Sequence, residues 1–154
     1  MLRRFVSTAL TLMAAAGLVM AGVSPASAAV VNRFWGVSPN VCLDAYNGHP
    51  DGEVYVTGCN SGNFQRFAWA NTFTGTTTLR SQAQTSYCVQ NAGSRVNLEP
   101  CSSAGYQRWE IRGNIGKLII RQGNLCLARA LGTTPNRVIM QGCSIPGSDW
   151  ALTN

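Results

Sequence analysis

Residues Cys42–Trp69 read CLDAYNGHPDGEVYVTGCNSGNFQRFAW, and two later stretches repeat their punctuation. Cys88–Ile111 reads CVQNAGSRVNLEPCSSAGYQRWEI, and Cys126–Leu152 reads CLARALGTTPNRVIMQGCSIPGSDWAL. The second cysteines, Cys59, Cys101 and Cys143, follow one another at intervals of 42 residues. They trail their first cysteines, Cys42, Cys88 and Cys126, by 17, 13 and 17 residues. Five and three positions before each second cysteine stand Val54 and Val56, Val96 and Leu98, Val138 and Met140. Alternation of this kind puts each pair on one face of a strand. A glutamine and an aromatic two residues later close the first two copies, Gln65 with Phe67 and Gln107 with Trp109; Ser148 with Trp150 closes the third.

Repetition at this period makes one structural unit used three times. Further strands are expected upstream of the copies, in TTTLRSQ (Thr76–Gln82), KLIIRQG (Lys117–Gly123) and NRFWGV (Asn32–Val37). No long helical pattern occurs, and Gly, Asn, Ser and Thr punctuate the chain every few residues, as in short strands joined by turns. A closed all-β unit with pseudo-threefold symmetry follows. The repeats pair the six cysteines within copies, as Cys42–Cys59, Cys88–Cys101 and Cys126–Cys143. Each bond would close a loop of roughly 15 residues, worth about 3 kcal/mol in the loop-entropy model. Trp35, Trp69, Trp109 and Trp150 are read as core or barrel-cap residues.

The chain of 154 residues opens with MLRR, an apolar run over Phe5–Val23 and the small-residue site Ala26-Ser27-Ala28. That order is a secretory signal peptide, residues 1–28, cleaved near Ala28. An uncleaved anchor is the competing reading, disfavoured by Ser, Thr and Gly within the run and by Pro25 ahead of the site. What remains, residues 29–154, suits one domain, with repeats at approximately 30–75, 76–116 and 117–154. Loss of Arg3 and Arg4 lowers the formal charge from +6 to +4. The other arginines are scattered along the chain, unlike a nucleic-acid stripe. Cysteine-rich short chains belong outside the cell.

The three copies resemble the repeat of the ricin-type β-trefoil, the R-type lectin or family 13 carbohydrate-binding module. The shared features are the Cys-Leu-Asp start, the strand before the second cysteine and the Gln-x-aromatic end. The resemblance covers essentially all of residues 29–154 and implies a β-trefoil that binds saccharides without catalysing a reaction.

In that family a carboxylate two residues after the first cysteine accepts hydrogen bonds from sugar hydroxyls. An aromatic ring two residues before the second cysteine stacks on the sugar, and an Asn just before the Gln adds an amide. Charge-assisted acceptance and ring packing on C–H faces are the physical basis. Carried over residue by residue, the first repeat keeps the carboxylate as Asp44 but has Thr57 at the ring position and Phe64 at the amide position. Tyr46, Asn47, His49, Tyr55 and Asn63 are near enough in sequence to contribute, and Gln65 would brace the loop or orient Asp44. Asp44 equally suits a turn carboxylate that caps backbone N–H groups, and His49 an exposed loop residue. In the second repeat the positions are Gln90, Glu99 and Tyr106, so Gln90, Asn91 and Glu99 form a secondary site of unusual geometry. The third has Ala128, Gln141 and Gly147, and is expected to be empty.

One histidine, with every cysteine in a pair, leaves neither a metal cluster nor a Cys/His nucleophile. No phosphate-binding loop occurs, so no cofactor is expected. The leading expectation is a secreted monomeric lectin for galactosides or plant or microbial polysaccharides, with no membrane span after cleavage. The alternative is a sugar-inactive trefoil serving as an accessory subunit of a secreted toxin, enzyme or other protein partner.

Overall fold

The computed structural model describes residues 28–37, 40–46, 53–130, 132 and 137–154. The leader assigned to residues 1–28 therefore lies almost entirely outside the described residues. No helix among the described residues is long and apolar enough to cross a membrane.

Four strand segments build the first repeat: β1 (Val30–Gly36), β2 (Val41–Asp44), β3 (Tyr55–Thr57) and β4 (Phe67–Trp69). The second holds β5 (Thr76–Thr77), β6 (Arg80–Ser81), β7 (Tyr87–Asn91), β8 (Val96–Pro100) and β9 (Trp109–Asn114). The third holds β10 (Lys117–Gln122), β11 (Leu125–Arg129), β12 (Val138–Gly142) and β13 (Ala151–Thr153).

Antiparallel pairing carries the chain around a closed barrel. β4 pairs with β1 and β6, β9 with β5 and β10, and β13 with β1. The Leu118–Trp150 bridge, with N···O distances of 2.8 and 2.9 Å, closes the ring between β10 and β13. The hairpins β2–β3, β7–β8 and β11–β12 cap the barrel. Each carries one disulfide, Cys42–Cys59, Cys88–Cys101 or Cys126–Cys143, and the Cα–Cα separation is 4.9 Å in all three. This is a β-trefoil, with the disulfide pairing that the repeat spacing implies.

The repeated apolar positions meet in one core. Leu43, Val89 and Leu127 are fully buried, as are Val54, Val96 and Val138. Trp109 and Trp150 are buried and donate from Nε1 to the carbonyls of Val89 and Leu127, each at 2.9 Å. Satisfying the indole N–H is what allows so large a ring to be buried. Phe67 fills the matching place in the first repeat with no donor to satisfy, while Trp69 packs beside it and bonds the Asn32 side chain at 3.0 Å. Trp35 is half-buried and donates to Asn40 at the β1–β2 turn, so it is a cap residue and not a core one.

Glu53, Arg95 and Arg137 each stand six residues before a second cysteine, and so are threefold equivalents. They meet where the three hairpins converge. Glu53 Oε1 accepts from Arg95 Nε and from Arg137 Nη2, both at 3.1 Å. Backbone contacts run beside them: Val54 donates to the Val96 carbonyl at 2.7 Å, and Tyr55 bridges Arg137.

Candidate functional site

Asp44 ends β2 and is almost wholly buried, with 4% of its surface exposed. A buried carboxylate is costly unless its oxygens are bonded, and here they are. Oδ1 accepts from the Tyr46 backbone N–H and Oδ2 from Gln65 Nε2, both at 3.0 Å. The Tyr55 phenol adds a third hydrogen bond. Burial first, then the charge and hydrogen bond of Asp44, push the Tyr55 phenol up to about 12, so it stays neutral and donating.

Gln65 lies in a short 3-10 turn, Asn63–Gln65, and is fully buried. Its Nε2 donates also to the Gly58 carbonyl at 3.0 Å, and its Oε1 accepts from the Asn60 N–H at 2.8 Å. One side chain thus bridges Asp44, the end of the hairpin and the following loop. Bracing the loop and orienting Asp44 are both its work. The Asx bond to Tyr46 also makes Asp44 a turn carboxylate, so the two readings of that residue are compatible.

Tyr46 follows the turn and is 46% exposed. Phe64 meets it edge-on, with ring centroids 4.8 Å apart, a favoured aromatic geometry. The loop between them is tied by the Ala45 N–H to the Phe64 carbonyl at 3.0 Å. Phe64 is the residue that sequence reasoning undervalued: it stands where an amide is usual, but it supports the exposed ring nearest Asp44 along the chain. Two aromatics flanking the buried pair, Tyr46 and Phe64, were the available signal. Asn63 is exposed on the same turn, and Thr57 is half-buried opposite Cys42. Asn47 and His49 lie outside the described residues.

The second repeat keeps the scaffold with a neutral core. Gln107 Nε2 donates to Gln90 Oε1 at 3.0 Å and to the Pro100 carbonyl at 2.9 Å, while Ser102 N–H donates to Gln107 Oε1 at 2.7 Å. Asn91 turns toward the third repeat, donating to Gln122 Oε1 at 3.0 Å, and accepts from Gly93 N–H at 2.9 Å. Gln122 in turn donates to the Tyr106 carbonyl at 2.8 Å. Glu99 lies on β8 opposite Cys88. The structure thus binds Gln90 and Asn91 into separate internal networks.

The third repeat replaces the network with packing. Ala128 is buried, and Ser148 Oγ reaches only backbone carbonyls, that of Ile145 at 3.0 Å and that of Gly142 at 3.5 Å. Arg129 beside it is buried, with its guanidinium 5.4 Å from the Trp150 ring centroid and Nη2 3.4 Å from Asp149. Burial lowers the Arg129 pKa, and Asp149 opposes the shift. Gly36 leaves room for it, since a Cβ at that position would displace the Arg129 side chain.

Residues 31–149 match the family model of the ricin-type beta-trefoil lectin domain. Among solved structures, a mosquitocidal holotoxin is similar over 82% of this chain and 17% of its own, at 12% identity and a TM-score of 0.69. This chain thus spans less than a fifth of that toxin. The designed threefold-symmetric protein ThreeFoil is similar over 80% of this chain and 98% of its own, at 17% identity and a TM-score of 0.68. The beta-trefoil lectin of the Vibrio vulnificus hemolysin/cytolysin, solved with N-acetyl-D-lactosamine bound, is similar over 82% of this chain and 96% of its own. Its identity is 23% and its TM-score 0.63. At these identities the likeness is one of fold. Among curated protein sequences none matches the chain.

Proposed function

The chain belongs to the ricin-type β-trefoil lectin domain family, and we propose that it is a secreted, non-catalytic saccharide-binding domain working through its first repeat. One observation carries the reading: Asp44 is the carboxylate at the family's position, and it is held by Gln65, the Tyr46 N–H and Tyr55. At the equivalent positions stand Gln90 and Ala128, which lack the charge.

A carboxylate fixed in advance accepts sugar hydroxyls without paying to order itself. Tyr46, backed by Phe64, offers a ring to the C–H face of the same sugar. Asn63, exposed on the same turn, adds a polar group beside them, and galactosides or plant or microbial polysaccharides are the ligands to test. One shallow site exchanges water for hydroxyls at small net gain, so single-site affinity is weak. Residues 1–28 act as a cleaved leader and residues 29–154 as the secreted, monomeric domain, in keeping with three disulfides and no free cysteine among the described residues.

The test is a glycan array followed by calorimetric titration of the sugars that register. Asp44→Ala should abolish the signal while leaving the thermal transition cooperative. Unchanged binding in that variant would sink the site.

A second reading rests on Gln90 and Ala128 in the carboxylate positions, and on the likeness to one part of a holotoxin. In it the domain is an accessory subunit for a secreted toxin or enzyme. A blank glycan array together with a stoichiometric partner from culture supernatant favours that reading.

A further inference from the structure

The first strand of the second repeat is broken, unlike β1 and β10 in the other two. Thr76–Thr77 pairs with β9, and Arg80–Ser81 pairs with β4. The chain changes partner at Thr78–Leu79, where Leu79 is driven fully into the core. This break opens a concavity of about 590 Å³ on the barrel wall, bordered by Thr76–Thr78, Arg80, Gln82, Thr85, Arg108 and the small side chains of Ala68 and Ala70.

The charge of this groove is one-sided. Among the described residues Glu53 holds Arg95 and Arg137, Glu110 holds Arg112 and Arg121, Asp149 holds Arg129, and Asp44 is taken up by Gln65 and the Tyr46 N–H, while Glu99, half-buried on β8 beyond β7, does not border the groove. Arg80 and Arg108 are exposed, border the groove and have no carboxylate partner, and no acidic residue borders it. Arg108 Nη2 donates to Thr76 Oγ1 at 3.0 Å, which orients the guanidinium and leaves its remaining N–H groups toward a ligand. The floor is internally satisfied, since Thr77 Oγ1 accepts from the Ala70 N–H at 2.9 Å and donates to the Thr78 carbonyl at 3.0 Å. Two guanidinium groups without a carboxylate partner, on a border that also carries hydroxyls and an amide, match a planar or tetrahedral oxyanion flanked by hydroxyl groups.

We propose that this groove is a second binding site, taking a sulfate or carboxylate carried on a saccharide. The anion requirement stands on the groove alone. The saccharide part rests on the lectin reading above. Arg80 and Arg108 contact the oxyanion, and Thr76, Thr78, Thr85 and Gln82 contact the hydroxyls of the sugar that carries it.

Calorimetric titration of the secreted protein against dextran sulfate, polygalacturonate and uncharged dextran tests the site. Charged polymer should bind and uncharged dextran should not, and the preferred polymer identifies the anion. Arg80→Ala with Arg108→Ala should weaken that binding roughly tenfold or more, with the melting temperature nearly unchanged because both side chains are exposed. Arg108→Lys keeps the charge but loses the fork, and should weaken binding by a smaller factor. Lys117→Ala removes one exposed charge elsewhere on the barrel and should have little effect. The inference is overturned if neither charged polymer binds, if the double variant binds as the parent does, or if Lys117→Ala costs as much as the double variant. Asp44→Ala keeps the two sites distinguishable. Neutral-sugar binding lost there, with charged-polymer binding intact, supports both; loss of charged-polymer binding in Asp44→Ala overturns the groove and leaves the first site standing.

Discussion

The first and third repeats have the same hairpin, a disulfide across the same separation of 17 residues and an aromatic packed beneath the same turn. They differ in how the turn is fastened. Gln65 ties the turn to the hairpin end and also to a carboxylate, whereas Ser148 reaches only the carbonyls of Ile145 and Gly142. The third repeat keeps its shape with the weaker fastening. The bond from Gln65 to Asp44 has a neutral counterpart in the second repeat, from Gln107 to Gln90, and none in the third.

The largest effect expected from that comparison is on stability. Gln65→Ala removes the amide's three bonds, to Asp44 Oδ2, the Asn60 N–H and the Gly58 carbonyl, at a cost of about 3 kcal/mol. Ser148→Ala removes one hydroxyl whose partners are carbonyls in a half-exposed turn, and should cost about 1 kcal/mol or less. Urea unfolding of the two variants reads the difference, and equal costs would break the comparison.

Next comes binding. Asp44→Asn keeps the size of the side chain but removes its charge, and should weaken sugar binding roughly tenfold while shifting the melting temperature little. Ala128→Asp supplies the carboxylate to the third repeat and should create no new binding, since no glutamine stands ready to hold it and Arg129 occupies the neighbouring space. Calorimetry against the sugar that the parent protein binds checks both. Gain of a second site by Ala128→Asp would mean that the carboxylate alone makes the pocket.

The smallest effect is in the alkaline range. The Tyr55 phenol is raised from its ordinary 10.0 to about 12 by burial and by Asp44, so the folded state holds its proton longer than the unfolded chain does. Its contribution is complete below pH 10 and is lost as pH rises from 10 toward about 12. Tyr55→Phe should flatten the fall in melting temperature across that window. The third repeat has Ile139 at the matching position and contributes no such slope.

Cysteine spacing and alternating valines made the hairpins legible in the chain itself, because disulfides and half-buried strands both impose strict periods. Asp44 and Gln65 were legible as well, since each stands at a fixed distance from a cysteine. Other features depend on what lies across space. Phe64 reads as a lost amide until Tyr46 is found against its ring. Arg80 and Arg108 look like scattered surface charge along the chain, and only the fold brings them to the border of one groove. The break itself has no breaker residue, for Thr78 and Leu79 both suit a strand, and the equally buried Phe34 and Ile120 stand at the matching positions of the continuous β1 and β10.

The meeting of Glu53 with Arg95 and Arg137 has a consequence for how such a chain can be rebuilt. Copying the first repeat three times would bring together three carboxylates at the convergence of the hairpins, and copying the second or third would bring together three guanidinium groups. Like charges at that distance repel. The three modules have thus become complementary parts that cannot be exchanged freely, and a symmetrised descendant of this chain would need an uncharged residue at that one position before any other change.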